Sequence, residues 1–351
     1  MKTPLAPLHA EAGARFIEFA GWEMPVHYGS QLEEHHAVRN HAGCFDVSHM
    51  AVVDIEGRDQ ERLLRRLLVC DVSNLDVGCA AYTLMLNERG GIVDDLIVYR
   101  RKNSYRLVVN AGTTKKDLDW IALCEDELNV TSCAHHCSEL CIIAIQGPQA
   151  VERVSALLEL SELTELEPFQ FIEHADYFIA RTGYTGEDGV EVICPPDVAV
   201  DLWSRLVSIG VQPVGLGARD SLRLEAGLNL YGHDMNDDTN PFECRVAWTI
   251  DWGDVDRNFI GRVAIEPMRN ERVPKKLVGL KLIERGIPRE GFVVATSAGD
   301  GVVTSGTFSP SLKQGIALAR VPQEARGMCH VEVRQRQIAA NIVRLPFIRG
   351  S

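Results

Sequence analysis

No stretch of this sequence approaches the roughly 18 to 20 consecutive apolar residues that a membrane-spanning helix requires. The opening MKTPLAPLHAEAGARF also lacks the continuous apolar segment of a secretory signal. A soluble, cytoplasmic protein with no membrane partner is expected. Positive charge is scarce too: 36 Lys and Arg stand against 49 Asp and Glu, a formal net charge of −13. That balance disfavours a nucleic-acid partner, because phosphate neutralisation needs a basic footprint. Neither a G-x-S-x-G elbow, an H-E-x-x-H helix nor a P-loop occurs, which weakens hydrolase and nucleotide-binding readings. No pair of cysteines has C-x-x-C spacing, so the ten cysteines read as reduced, mostly buried small hydrophobes. The cluster Cys133, His135, His136, Cys137 and Cys141 holds enough soft ligands for zinc, but its spacing fits no structural zinc pattern well. We assign it no metal and read it as a loop entering the strand LCIIAI.

What is present mixes short strands with amphipathic helices in no regular βα alternation, which argues for an α+β fold. At 351 residues the chain is long for one core, and two or three domains are expected. Ser30 and Glu33 form a capping box that opens a helix, with Gly43 as its expected end. A second helix near 58–69 places Leu63, Leu64, Leu67 and Leu68 on one face, and Arg62, Arg65 and Arg66 on the other. From residue 80 a meander follows: AAYTLMLN, IVDDLIVYR and YRLVVN, then a helix from Thr114. YFIAR and VEVIC flank the loop TGYTGEDG, and helices are expected near 148–158, 197–209 and 216–226. After the charged stretch MRNERVPKK, the segments KLVGLKLI, VVTSGTFS, GIALARV, CHVEVR and IVRLPF read as strands only. An all-β C-terminal domain from about residue 270 is the consequence.

The stretch GGIVDDLIVY carries the clearest chemical signal. Strict alternation puts Asp94 on one face with Ile92, Leu96 and Val98, and Asp95 on the other with Val93, Ile97 and Tyr99. Both faces are apolar, so each acid must be paired, hydrogen-bonded, protonated or open to a polar cavity. A turn cap or a pair with Arg100 or Arg106 would account for one acid. Two acids pointing opposite ways leave at least one directed at a cavity. In TGYTGEDG three glycines permit close backbone approach, and Glu187 and Asp188 stand at the tip, where solvated acids of a tight hairpin are the ordinary case. In GLGARDSLRLEAG, Arg219 and Arg223 lie in the first turns of a helix, against its dipole, so a compensating anion is expected from an internal carboxylate or from a ligand.

Together with GWEMPVHYGS, CFDVSHM and TSGTFSPSL, these collinear segments resemble aminomethyltransferase, the T-protein of the glycine cleavage system, from about residue 4 to 348. The resemblance implies a three-domain cloverleaf around a central folate channel. Its first domain is discontinuous (1–50 plus 140–250), the second spans 51–139, and the C-terminal domain, 270–351, is barrel-like. It implies a transferase that takes an aminomethyl group from the lipoyl arm of H-protein, releases ammonia and forms 5,10-methylenetetrahydrofolate. Tetrahydrofolate would be the co-substrate and lipoylated H-protein the partner. By the GGI-x-D-D match the family's key acid falls on Asp95, where a carboxylate would orient folate N10 and stabilise charge developing on it. The same match makes Glu187 and Arg219 folate contacts. Met50, Tyr82 and Asn110 match positions lining the folate pocket, Asp94 becomes hydrogen-bonded support, and Tyr99 and Tyr231 are wall or packing residues. The basic residues Arg62, Arg65, Arg66, Arg100, Arg101 and Lys102 are candidate charges for docking H-protein.

Two rival readings share the folate chemistry. A non-enzymatic folate-binding protein of iron-sulfur cluster assembly would carry a K-G-C-x-x-G-Q-E type motif, and the chain instead reads RNFIGRVAIE there. A folate-dependent demethylase would need a flavin domain, and no dinucleotide fingerprint is present.

Overall fold

Two families of apolar, β-branched runs build two separate sheets, and a third set closes into a barrel. A computed structural model of the protein describes residues 1–130, 132–333 and 336–350. The six-stranded sheet runs Phe171–His174, Tyr177–Ala180, Gly189–Cys194, Cys141–Gln146, Gly43–Asp46, Gln212–Pro213. The chain leaves this sheet after Asp46 and returns at Cys141. In between it builds a five-stranded antiparallel sheet in the order Ala80–Leu86, Ile92–Arg100, Tyr105–Val109, Ala51–Gly57, Ser132–His136. The six strands from Lys275–Leu282 to Arg336–Val343 form a closed barrel, which removes its exposed edges. The fold is the expected mixture of helix and sheet with an all-β C-terminal part. No described helix is long and apolar enough to cross a membrane.

Helix positions follow the apolar periodicity. Gln60–Leu67 buries Leu63, Leu64 and Leu67, each contributing about 1.5–3 kcal/mol of apolar burial. Thr114–Leu128 buries Ile121 and Cys124 in the same core, together with one acid, Asp117. In Gln31–Asn40 the Ser30 side chain accepts from the Glu33 N–H as the capping box requires, but the end differs from expectation. His41 is the C-cap, and Gly43 opens the next strand, where a Cβ would meet Val38 and Val214 at 2.6 Å.

Three further expectations change. Ser132–His136 is an edge strand paired with Ala51–Gly57 rather than a loop; backbone pairing holds it although its sequence lacks apolar alternation. Val293–Thr296 is an additional barrel strand. The last strand ends at Val343, before Pro346, which has no N–H to extend a ladder.

The change that matters for function lies in Ile92–Arg100. Met85 pairs with Asp94 but Leu86 pairs with Ile92, so Val93 is an extra residue in a β-bulge. The strict alternation read from the sequence therefore breaks there. Val93 packs in the helix-covered core with Leu96 and Val98, and Ile92 packs on the other side with Met235 and Phe259. Beyond the bulge, Asp94 points under the helix Thr114–Leu128 and Asp95 points away from it.

Candidate functional site

A cavity of about 1110 Å³ opens where the two sheets, the segment from Ala226 to Trp248 and the barrel meet. That is room for a ligand of cofactor size. Asp95, Tyr82, Asn110, Met50, Tyr231, Glu187 and Arg219 all line it. Asp94 and Tyr99 do not. Asp94 is fully buried behind the strand. Tyr99 packs edge-on against Phe171 and Phe178, with its hydroxyl 3.5 Å from Thr182, so it is a packing residue.

Neither acid of the pair meets an arginine. Arg106 forks onto Asp54 at 2.7 and 2.8 Å, and Arg100 donates to backbone carbonyls of residues 72–75. Asp95 Oδ2 accepts from the Tyr82 hydroxyl at 2.8 Å and Oδ1 from Asn110 Nδ2 at 3.0 Å. Burial first, and the neighbouring Asp94 charge second, push its carboxyl up to about 7, against the downward pull of those two donors. Asn110 Nδ2 also donates to Asp94 Oδ1 at 2.9 Å, so one amide joins both acids.

The loop of residues 182–189 is folded onto the protein: its Glu187 side chain is withdrawn from solvent, while Asp188 stays partly exposed. At Gly183 a Cβ would overlap the Gln146 side chain at 1.9 Å, which explains the glycine. Asp188 pairs with Arg181 at 2.7 Å. Glu187, its side chain 3% exposed, accepts at Oε1 from Arg39 Nη1 at 2.7 Å. Residues that sequence reasoning passed over also line the cavity. Glu191 lines the cavity, with Oε2 accepting from Thr182 at 2.6 Å; a lone acid inside VEVIC carried the same signal as the Asp pair. His49 also lines the cavity, its Nδ1 buried without a partner, and burial followed by the Arg219 charge lowers it to about 4. Trp248, 71% exposed, stacks on Tyr82 at 5.9 Å and forms part of the rim.

The two helix arginines have different partners. Arg223 pairs with Asp220 at 2.8 Å and Asp234 at 2.9 Å. Arg219 lies over the Tyr184 ring at 4.8 Å, and its Nη1 is buried with no hydrogen-bond partner among the described residues. Burial lowers its affinity for its proton, with Glu191 acting in the opposite sense. A buried guanidinium with an unused N–H at a cavity wall is built to receive an oxygen acceptor. Unlike the Asp pair, the cysteine cluster brings nothing to the cavity. Its Cys133 side chain lies outside the described residues, and among those described no group of three or more His, Cys, Asp or Glu is arranged around a metal position.

The chain matches two family models, "GCVT N-terminal domain" over residues 5–254 and "Glycine cleavage T-protein C-terminal barrel domain" over 275–348. It is 48% identical over 353 residues to an aminomethyltransferase of Chromobacterium violaceum, covering 99% of this chain and 97% of that protein. It is 46% identical to one of Legionella pneumophila, covering 99% and 98%. The crystal structure of the glycine cleavage system aminomethyltransferase T from Bartonella henselae superposes with a TM-score of 0.93 at 37% identity, over 100% of this chain and 98% of that one. Fold, cavity and sequence therefore agree that the chain belongs to the aminomethyltransferase family, the T-proteins of the glycine cleavage system.

Proposed function

We propose that the cavity receives tetrahydrofolate, and that Asp95 is the acid that supports transfer of an aminomethyl-derived carbon to it from the lipoyl arm of H-protein, with release of ammonia. The observation carrying this reading is the presence, in the lining of one cavity, of a half-open carboxyl pushed up to about 7 and an arginine whose buried Nη1 has no hydrogen-bond partner among the described residues. When bound, tetrahydrofolate supplies the amine nitrogens that accept the one-carbon unit. Each Asp95 oxygen takes one donor from the protein and keeps a lone pair for the ligand. Placed against a folate N–H, the carboxylate orients that nitrogen and stabilises positive charge as the new bond forms. Its raised pKa matches it to proton transfer near neutrality.

For the pterin's two adjacent N–H donors we assign Glu191 in place of Glu187, because the charge of Glu187 is compensated by Arg39, whereas Glu191 receives only the neutral Thr182 hydroxyl. Arg219 is assigned to a carbonyl or carboxylate oxygen of folate, with Met50, Tyr82, Asn110 and Tyr231 as wall. The three proposed units are 1–50 with 140–250, 51–139 and 270–351. The excursion of the chain from the six-stranded sheet between Asp46 and Cys141 supports a discontinuous first unit. Cytoplasmic location is retained from composition.

H-protein docking is assigned to the cavity rim near Trp248. Of the basic residues considered for it, Arg65, Arg66 and Arg101 are engaged with Asp71 and Asp254, Glu127, and Glu173. Formation of methylenetetrahydrofolate from aminomethylated H-protein and tetrahydrofolate tests the whole reading. Binding of tetrahydrofolate without turnover would reduce the protein to a folate carrier.

A further inference from the structure

Behind Asp95, on the side of the strand away from the cavity, a third acid completes a buried cluster. Asp117 lies in the first turn of the helix Thr114–Leu128 and is fully buried. Neither of its buried oxygens has a hydrogen-bond partner among the described residues; the polar groups beside it are the Asp94 carboxyl and the Thr113 hydroxyl. Asp94 is well supplied on its other sides: the Asn110 N–H at 3.2 Å, Asn110 Nδ2 at 2.9 Å and the Thr113 hydroxyl at 2.9 Å. Thr113 has one hydroxyl proton, and Asp94 Oδ2 or the Asn110 carbonyl takes it.

Two neighbouring, fully buried carboxyl groups, one of them with no donor on either oxygen among the described residues, keep a proton between them, since two adjacent buried carboxylates repel strongly. Lys116 is the cation beside them, and its ammonium is committed to the Tyr231 hydroxyl at 2.7 Å and Asp237 at 2.9 Å. Tyr82 and Asn110 face Asp95 from the neighbouring strands, Tyr184 lies across the cavity from it, and Tyr231 faces the acid pair from the segment beyond the helix Leu216–Glu225.

We propose that Asp117 is a positioning residue: it shares one proton with Asp94, and this singly charged pair, bridged by Asn110, fixes the Asp95 carboxylate and sets the pH at which Asp95 ionises. Burial, then Asp94, raises Asp117 to about 9, in keeping with a retained proton. The inference rests on the assignment of Asp95 to the transfer step, but the shared proton can be read without it.

The test compares Asp117→Asn, Asp117→Ala, Asp94→Asn and Asp95→Asn with wild type. Stability against pH reads the proton. The folded protein keeps a proton that the unfolded chain releases above the ordinary carboxylate value, so wild-type stability declines as pH rises from about 4 towards about 9. Asp117→Asn, which keeps a donor but cannot ionise, reduces that decline to the part below about pH 7 that Asp95 contributes. An unchanged slope in Asp117→Asn overturns the shared proton.

The pH profile of turnover reads the coupling. Asp94→Asn moves the acidic limb down by about one pH unit, because it deletes the charge beside Asp95. Asp117→Ala lowers turnover about tenfold through loss of positioning, and Asp117→Asn recovers most of that loss with the limb at its wild-type pH. A limb displaced as far in Asp117→Asn as in Asp94→Asn means that Asp117 is charged at neutrality, and the proposal fails. Should Asp95→Asn keep full turnover, the role of Asp95 falls, while the stability slopes still decide the proton.

Discussion

The two ends of the helix Leu216–Glu225 present opposite solutions to the same problem of burying charge. At its C-terminal end Glu225 receives Arg39 at 2.9 Å, His35 at 3.2 Å, and the hydroxyls of Ser309 and Ser311 from the barrel. At its N-terminal end Arg219 is half-buried at the cavity, and its buried Nη1 has no hydrogen-bond partner among the described residues. The saturated cluster joins three parts of the chain, since Arg39 also holds Glu187 and the Thr185 carbonyl. The under-satisfied arginine lines the same cavity as Asp95. Buried charges are tolerated where partners compensate them, and an uncompensated one marks the place where a ligand completes the set. Satisfaction of polar groups thus separates the joint that holds the fold from the wall to which the chemistry is assigned, and each side can be broken separately.

The largest effect is expected at the wall. Asp95→Asn keeps shape but loses the charge, so turnover falls by about 10²–10⁴-fold, while the thermal midpoint stays the same or rises because a buried charge has been removed. Calorimetric binding of tetrahydrofolate to this variant separates lost chemistry from lost binding. Next is the joint. Burial raises Glu225, but His35, Ser309 and Arg39 outweigh it and bring its carboxyl from 4.5 down to about 2. A depressed carboxylate stabilises the fold above its unfolded value and loses that contribution as pH falls through about 2. Glu225→Ala strands Arg39 and His35, so denaturant unfolding reports a loss of about 3–5 kcal/mol, and the decline between pH 5 and 2 becomes shallower. Arg219→Leu inverts the pattern: stability is kept or improved, while folate affinity drops by about 1.5–3 kcal/mol, the value of a hydrogen bond to a charged group. Equal destabilisation by the Glu225 and Arg219 variants would erase the distinction.

How far the sequence foretold this division differs by residue. The meander and its Asp pair were legible because apolar alternation and the turns between them are local properties. Which acid faces the cavity was not, since both faces of the strand are buried and the bulge at Val93 shifts the alternation next to the pair. The assignment of Asp95 came from resemblance, and the cavity lining is consistent with it. Glu187 attracted notice for standing among glycines, yet its partner, Arg39, is far away in the chain and no local pattern reveals it. Asp117 drew no expectation from the sequence, since an acid in the first turn of a helix is ordinary and favourable to the dipole, and only packing brings it under Asp94. The strand Ser132–His136 was hidden for a related reason: its pairing comes from the neighbour Ala51–Gly57, and its own residues do not alternate.

The smallest change that still distinguishes wall from joint is Tyr82→Phe. The variant keeps the ring that stacks on Trp248 and removes only the hydroxyl donated to Asp95 Oδ2. Burial and Asp94 hold the Asp95 carboxyl up, and Tyr82 is one of the two side-chain donors pulling it back to about 7. One such bond contributes about 1 kcal/mol, equivalent to roughly 0.7 of a pH unit. Turnover depends on the ionised form, so the acidic limb moves up by about that much, and activity at pH 7 falls about two- to threefold. Raising the pH to about 8.5 restores the ionised form and with it the rate. A loss that persists there would assign the Tyr82 hydroxyl to the substrate instead of to Asp95.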